Sequence, residues 1–282
     1  MQHDSPTFVF DALMATNKRT RSRTALATMF GLAPCFDLAC VGTSIRGAGA
    51  LTFEAVTYLA SADVVFYYPP TTPHYELLKL LNDDVVNLND TLYVRGAPFG
   101  PTYEAIIEEV IGVLKTGKRI AYATQGSPAF HCGTCLSLIR RATQEGFRAV
   151  LIPGVSSLEV LSTDLAPLYD FNSLQLYSID DVMNRKANID PRNPCLLFDL
   201  GRYALPAVRE KAGNILRSKL NALSEFLSSI YTSSHELILC SVKPDGLCVQ
   251  SKTTLNRLEE TVGRLGTSQT IFVPALQIAS SS

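Results

Sequence analysis

The chain has 282 residues, 46% of them hydrophobic and 18% charged. At roughly 100–200 residues per domain, that length allows one large or two modest domains with ample core, and the apolar content excludes a disordered chain. With 25 basic and 26 acidic residues the formal net charge is -1, so no global basic field recruits nucleic acid or an anionic membrane.

Residues 1–35 stand apart. They hold Lys18-Arg19-Thr20-Arg21-Ser22-Arg23 and then Ala25-Leu26-Ala27-Thr28-Met29-Phe30. This reads as an N-terminal arm, either solvated or embracing a partner subunit or peptide. Asp4 and Asp11 interrupt the basic character of a transit peptide, and no signal peptide opens the chain. From residue 36 strands and helices alternate. Phe36–Val41 reads as a strand, Leu51–Ser61 as a helix, Asp63–Tyr68 as a strand, His74–Leu81 as a helix and Val85–Leu88 as a strand. Val64–Tyr68, the densest apolar run, is strand length and far short of the about 18 residues that cross a bilayer. Tyr103–Lys115 is amphipathic and helical, with Gly117 just past its end as a C-cap. Arg119–Thr124 reads as a strand, Cys132–Glu145 as a helix and Ala149–Ile152 as a strand. Such alternation implies crossover connections and a parallel sheet.

After Pro167 the pattern changes. Strands are expected over Leu174–Ser178, Cys195–Leu200, Leu237–Val242 and Thr270–Val273, and helices over Pro206–Leu227 and Thr254–Leu265. The expected organisation is an arm over 1–35, an α/β domain over 36–165 and a second α/β domain with a mixed sheet over 166–282. Seven cysteines, an odd number scattered along the chain, read as reduced thiols of a cytoplasmic protein. His131-Cys132-x2-Cys135 has no second pair at zinc spacing, so buried thiols are expected there and no metal.

Three loops at carboxyl ends of expected parallel strands are rich in small residues. They are Gly42-Thr43-Ser44-Ile45-Arg46-Gly47, Gln125-Gly126-Ser127-Pro128-Ala129-Phe130 and Pro153-Gly154-Val155-Ser156-Ser157. Ligand sites of open α/β sheets form at such edges, although a plain turn has the same composition. The glycine spacing fits neither a dinucleotide fingerprint nor a P-loop.

Taken in order, Val41-Gly42-x6-Gly49-Ala50-Leu51-Thr52, Ala62-Asp63-Val64-Val65-Phe66, Gly126-Ser127-Pro128, Glu145-Gly146-Phe147 and Pro153-Gly154-Val155-Ser156-Ser157 resemble the tetrapyrrole methylase superfamily, the class III S-adenosylmethionine (SAM)-dependent methyltransferases. Within it the resemblance is to the peptide backbone α-N-methyltransferases of borosin biosynthesis and bacterial relatives. It rests on Thr102-Tyr103-Glu104, on Tyr93 ten residues before Tyr103, on Pro194–Gly201 and on Thr267–Pro274. The resemblance implies two α/β domains with a SAM cleft between them, a homodimer, and methylation of a peptide. A tetrapyrrole or other small-molecule acceptor is the alternative, and a catalytically weak SAM-binding partner protein the second.

Where that family carries an Arg four residues before the second tyrosine, this chain has Phe99, with Arg95 the nearby guanidinium. Its Gly-His-Pro-Gly is Gly126-Ser127-Pro128-Ala129 here, and its strand Gln aligns with Asp199. The resemblance assigns SAM contacts to Gln125, Ser127, Phe130, Ser156, Asp199 and Thr270, with Gln269 beside the last. An amide nitrogen is barely nucleophilic, so Tyr103, with Arg95 and Tyr93, is the candidate for proton handling. A packing role for both tyrosines is the plainer alternative.

Overall fold

Short strands of small and β-branched residues, each followed by a helix, build the first half of the chain into a fully parallel sheet. The structure, a computed structural model, describes residues 35–68, 72–92, 99–169, 171–185, 187–204, 217–242, 248–265 and 269–276. Arm residues 1–34, Tyr93, Arg95 and the first part of the helix expected over Pro206–Leu227 lie outside them. The chain divides into two compact units, Met1–Tyr93 with Tyr103–Ser157, and Val94–Thr102 with Leu158–Ser282.

In the first unit the order is β1 (Leu38–Gly42), α1 (Phe53–Ser61), β2 (Val64–Tyr67), α2 (Thr72–Leu81), β3 (Val85–Asn87), α3 (Leu88–Leu92), α4 (Phe99–Leu114), β4 (Ile120–Thr124), α5 (Gly133–Gln144) and β5 (Ala149–Ile152). The sheet order is β3-β2-β4-β1-β5. β1, β2 and β4 are buried along their whole length, which is why they read as unbroken apolar runs. Helix α1 is capped by Thr52, whose hydroxyl accepts from the Ala55 N–H at 3.1 Å. Helix α4 buries Ile106, Val110, Ile111 and Leu114 on one face, each worth about 1.5–3 kcal/mol of burial. Gly117 follows it at φ 84°, as a C-terminal glycine should. The helix begins at Phe99 and not at Tyr103, because Pro101 falls in the first turn, where its missing N–H costs nothing.

At the amino edge two Asp–Arg clasps tie neighbouring strands. Asp63 Oδ2 accepts from the Arg119 backbone N–H at 2.8 Å, and Oδ1 meets its Nη2 at 2.9 Å. Asp37 does the same for Arg148, at 2.7 and 3.3 Å. Asn82, 3% exposed, closes the end of α1. Its Nδ2 donates to Leu59 O and Ala62 O at 2.9 Å each, and its Oδ1 accepts from Asp84 N–H.

The second unit holds α6 (Ser157–Leu165), β6 (Gln175–Ser178), α7 (Ile179–Arg185), β7 (Cys195–Phe198), α8 (Leu200–Ala204), α9 (Arg217–Ser228), β8 (Glu236–Val242), β9 (Cys248–Thr254), α10 (Leu258–Leu265) and β10 (Thr270–Val273). The sheet order is β6-β7-β10-β8-β9, with β6 parallel to β7 and the other pairs antiparallel. The sheet is mixed, as expected. Strand β9 departs from the sequence reading, which began a helix at Thr254. It is an edge strand of half-buried and exposed residues, so no apolar alternation marks it. Val85–Leu88 is likewise shorter than expected, since Leu88 opens α3.

Two predictions follow from these contacts. Asn82→Ala leaves two helix-end carbonyls without their buried donor and should cost about 1–3 kcal/mol in a urea midpoint experiment. Hydrogen bonds from Arg148 hold the Asp37 carboxyl below its ordinary value of 3.8. A folded value below the unfolded one stabilises at neutral pH, and that stability is lost as pH falls through 3.8 toward the folded value. Asp37→Asn should therefore flatten the acid side of the stability profile and leave alkaline stability unchanged.

Candidate functional site at the carboxyl edge of the parallel sheet

The site starts from helix placement. Side chains of α1 and α2, among them Ala55, Leu59 and Leu78, cover one face of the first sheet. Those of α4 and α5, including Ile106, Val110 and Leu138, cover the other. The crossover leaving β1 thus lies opposite the crossover leaving its neighbour β4. This is a topological switch point, and a crevice opens outside the carboxyl ends of the two strands.

Backbone contact closes the floor of that crevice. A Cβ on Gly42, the last residue of β1, would stand 2.6 Å from Gly154 N and 2.8 Å from Gly154 Cα. One on Gly154 would stand 2.7 Å from the Gly42 carbonyl carbon, and also against the Gly126 oxygen. These partners are backbone and cannot swing aside, so Gly42 and Gly154 must be free of side chains where they meet, and Gly126 brings its carbonyl oxygen to the same point. Gly126 also takes φ 81°. Hydrogen bonds continue the join. Thr43 donates to Thr124 O through both N–H and hydroxyl, at 2.8 and 3.0 Å, and Ile45 N–H donates to Val155 O at 2.9 Å.

The first unit therefore brings the Gln125–Phe130 loop and Ser156 to one place. A Cβ on Gly126 would lie 3.9 Å from Ser156 Cα, and Ser156 is buried. Gln125, Ser127 and Phe130 are half-buried. The Phe130 N–H turns back to Ser127 O at 3.2 Å, and its ring meets His131 edge-on at 4.5 Å. In the second unit, Asp199 follows β7 and Thr270 opens β10. The antiparallel register Leu197 with Ile271 places both at one end of that ladder. Asp199 sits at φ 66°, a left-handed conformation that costs a non-glycine residue about 1–3 kcal/mol. Beside Thr270, Gln269 is buried and its Oε1 has no hydrogen-bond partner among the described residues.

Tyr103 is half-buried in the second turn of α4, not at its first residue. Its ring meets Tyr68 edge-on at 6.3 Å and 85°. Tyr68 directly follows β2, and its N–H donates to Ala123 O of β4 at 3.3 Å. The phenol of Tyr103 thus stands near the carboxyl ends of β2 and β4. Tyr93 and Arg95 lie outside the described residues. The sequence reading passed over Tyr68, hidden inside an aromatic strand, and over Thr43 and Ser44, both buried. Ser44 adopts φ 66° and its Oγ accepts from Arg46 N–H at 3.0 Å.

Behind β4, Cys40, Cys132 and Cys135 pack together, with Cys132 Sγ 3.7 Å from Thr124 Oγ1. Burial pushes the Cys135 thiol up, and contact with Cys135 followed by burial pushes up Cys132. They are protonated packing groups. Among the described residues no cluster of His, Cys, Asp or Glu could hold a metal, and no helix is long and apolar enough to cross a membrane. The arrangement can hold a ligand rich in hydroxyl, amine and carboxylate groups.

Comparison with known proteins agrees with this geometry. The profile of the Tetrapyrrole (Corrin/Porphyrin) Methylases matches residues 37–194, more than half of the chain. The methyltransferase/ribosomally synthesized cyclic peptide lentinulin A precursor of Lentinula edodes is 26% identical over 244 residues, 84% of this chain and 57% of the relative. The corresponding omphalotin A precursor of Omphalotus olearius is 25% identical over 244 residues, with the same shares of 84% and 57%. The chain thus spans little more than half the length of these relatives. Among solved structures, uroporphyrin-III-C-methyltransferase of Thermus thermophilus superposes with TM-score 0.59 at 20% identity, covering 84% of this chain and 91% of that one. A cobalt precorrin-4 methyltransferase superposes with TM-score 0.57 at 16% identity, over 86% and 98%. Both show the fold.

The glycine contact makes a direct prediction. Gly154→Ala forces a methyl into backbone and should cost about 1–3 kcal/mol or more in chemical denaturation. Gly49→Ala meets nothing within 4 Å and should change stability by less than about 0.5 kcal/mol.

Proposed function

The chain belongs to the tetrapyrrole (corrin/porphyrin) methylase family, and we propose that it is a SAM-dependent methyltransferase acting on backbone amides of a peptide. The observation that carries this reading is a phenol, Tyr103, standing at the same sheet edge as the glycine-floored crevice. The peptide acceptor is suggested by relatives named as methyltransferase/cyclic peptide precursors. A polycarboxylate acceptor would need several cationic partners. In the loops 43–47, 125–130 and 153–157 the only Lys or Arg is Arg46.

SAM, when bound, supplies a methyl group on a sulfonium that leaves as a neutral thioether. The protein's share is orientation and a competent nucleophile. Gln125, Ser127, Phe130 and Ser156 would hold the cofactor from the first unit, Asp199 and Thr270 from the second. The fit rests on the cradle that admits no Cβ and on the orphaned Gln269 Oε1, which can accept from an amine or hydroxyl. Tyr103 would take the amide proton as the nitrogen attacks. Arg95 would stabilise the phenolate or the amide oxyanion, and Tyr93 would position the acceptor. In this reading 36–165 is the acceptor-side domain, 166–282 completes the set of cofactor contacts, and 1–35 supports a homodimer.

Calorimetry with S-adenosylhomocysteine should give roughly micromolar binding or tighter. Incubation with SAM and apolar synthetic peptides should add methylene masses that fragmentation places on backbone nitrogen. Tyr103→Phe keeps the ring and removes the hydroxyl, so turnover should fall by ~10²–10⁴ while S-adenosylhomocysteine affinity holds. Wild-type turnover in that variant would make Tyr103 a packing residue. No binding by a folded sample would overturn the cofactor assignment.

A further inference from the structure

Two cysteines outside the candidate site meet across the β8–β9 hairpin. The ladder pairs Cys240 with Gln250 and Val242 with Cys248. With a side-chain period of two, Cys240 and Cys248 stand on the same face as diagonal neighbours. Their side chains therefore face each other diagonally across the hairpin. Cys240 is 1% exposed, and its Sγ also lies 3.9 Å from Ile238 O. Cys248 is half-buried. From α6, Asp164 faces the pair, and Gln250 Nε2 donates to its backbone oxygen at 3.4 Å.

The two thiols are not equivalent. The hydrogen bond with Cys240 favours the Cys248 thiolate, and the same bond, together with burial, keeps Cys240 protonated. One reachable nucleophile and one buried partner are what thiol–disulfide exchange requires. The Cys132–Cys135 pair lacks this asymmetry, since both its thiols are raised.

We propose that Cys248 and Cys240 form a thiol–disulfide exchange site for low-molecular-weight disulfides such as glutathione disulfide. The Cys248 thiolate attacks one sulfur of glutathione disulfide. That S–S bond breaks, Cys248 carries a mixed disulfide, and the first glutathione leaves as a thiolate. Cys240 yields its proton to the departing thiolate and attacks the Cys248 sulfur, expelling the second glutathione. Two protein thiols are oxidised, and one glutathione disulfide is reduced to two thiols. Diagonal neighbours sit about 7–8 Å apart, beyond the roughly 4.4–6.8 Å a relaxed disulfide spans, so closure requires the backbone to move and leaves a strained, easily reduced bond. Cys240 stands opposite Thr270 in the ladder. Closure therefore acts on the first residue of β10, which matters for methylation only if the cofactor reading above holds.

The experiment equilibrates the full chain in glutathione redox buffers, blocks free thiols and maps the peptides. The expected result is a Cys240–Cys248 cross-linked peptide that reduced glutathione removes. Cys240→Ala should stop at a glutathione adduct on Cys248, and Cys248→Ser should give neither product. Amide exchange at Thr270 should shift on oxidation in the wild type and not in Cys248→Ser. An unmodified Cys248, or cross-linking only at Cys132–Cys135, overturns the site. Unchanged exchange at Thr270 overturns the link to β10. Neither readout uses S-adenosylhomocysteine, so the methyltransferase reading fails or stands separately.

Discussion

Everything at the carboxyl edge depends on one contact, in which Gly42, Gly126 and Gly154 meet backbone to backbone. Strands in a parallel sheet are about 4.8 Å apart, and their exits ordinarily diverge under their own side chains. Here three successive exits lack side chains at the meeting point, so the loops converge. Convergence brings Ser156 beside the 125–130 loop and lets Thr43 and Ile45 stitch β1 to both neighbours. The join is built from backbone amides and carbonyls. Backbone held in this way costs no side-chain entropy to organise.

The two edges of the first sheet do different work. At the amino edge, Asp37 and Asp63 each hold an arginine by its backbone and its guanidinium. These exposed pairs add at most about 1 kcal/mol each. Their effect is to fix where adjacent strands start, and strands that start in register end in register. The glycine contact at the opposite edge tolerates no slip, because a one-residue shift would bring Val41 or Thr43 into it. Among the described residues three non-glycines take positive φ, Ser44 and His131 in the first unit and Asp199 in the second. Surrounding packing must enforce these left-handed conformations.

How much of this was legible follows from what each residue reports through local pattern. β1 and β4 are buried on both faces, so their sequences declare them. The three loops could be found because small residues at strand exits are a compositional signal. β9 was invisible, because an edge strand such as Cys248–Thr254 buries too little to be patterned. The start of α4 was misread because Gly100-Pro101 resembles a turn, and only the first-turn position of Pro101 reconciles it with a helix. Tyr68 and Ser44 carry no periodic signal. Their importance comes from partners 35 residues away and from a dihedral angle.

The corrected start of α4 changes the chemistry asked of Tyr103. A phenol at a helix N-terminus would feel the positive end of the dipole, an effect that fades within the first turn. Tyr103 lies one turn deeper and presses edge-on against Tyr68. In the proposed mechanism Tyr103 would be made basic by a charge brought to it, the task proposed for a guanidinium. Phe99 occupies the position where an arginine one helical turn away would have stood. In the proposed mechanism that task would fall to Arg95, four residues before Phe99 in the chain.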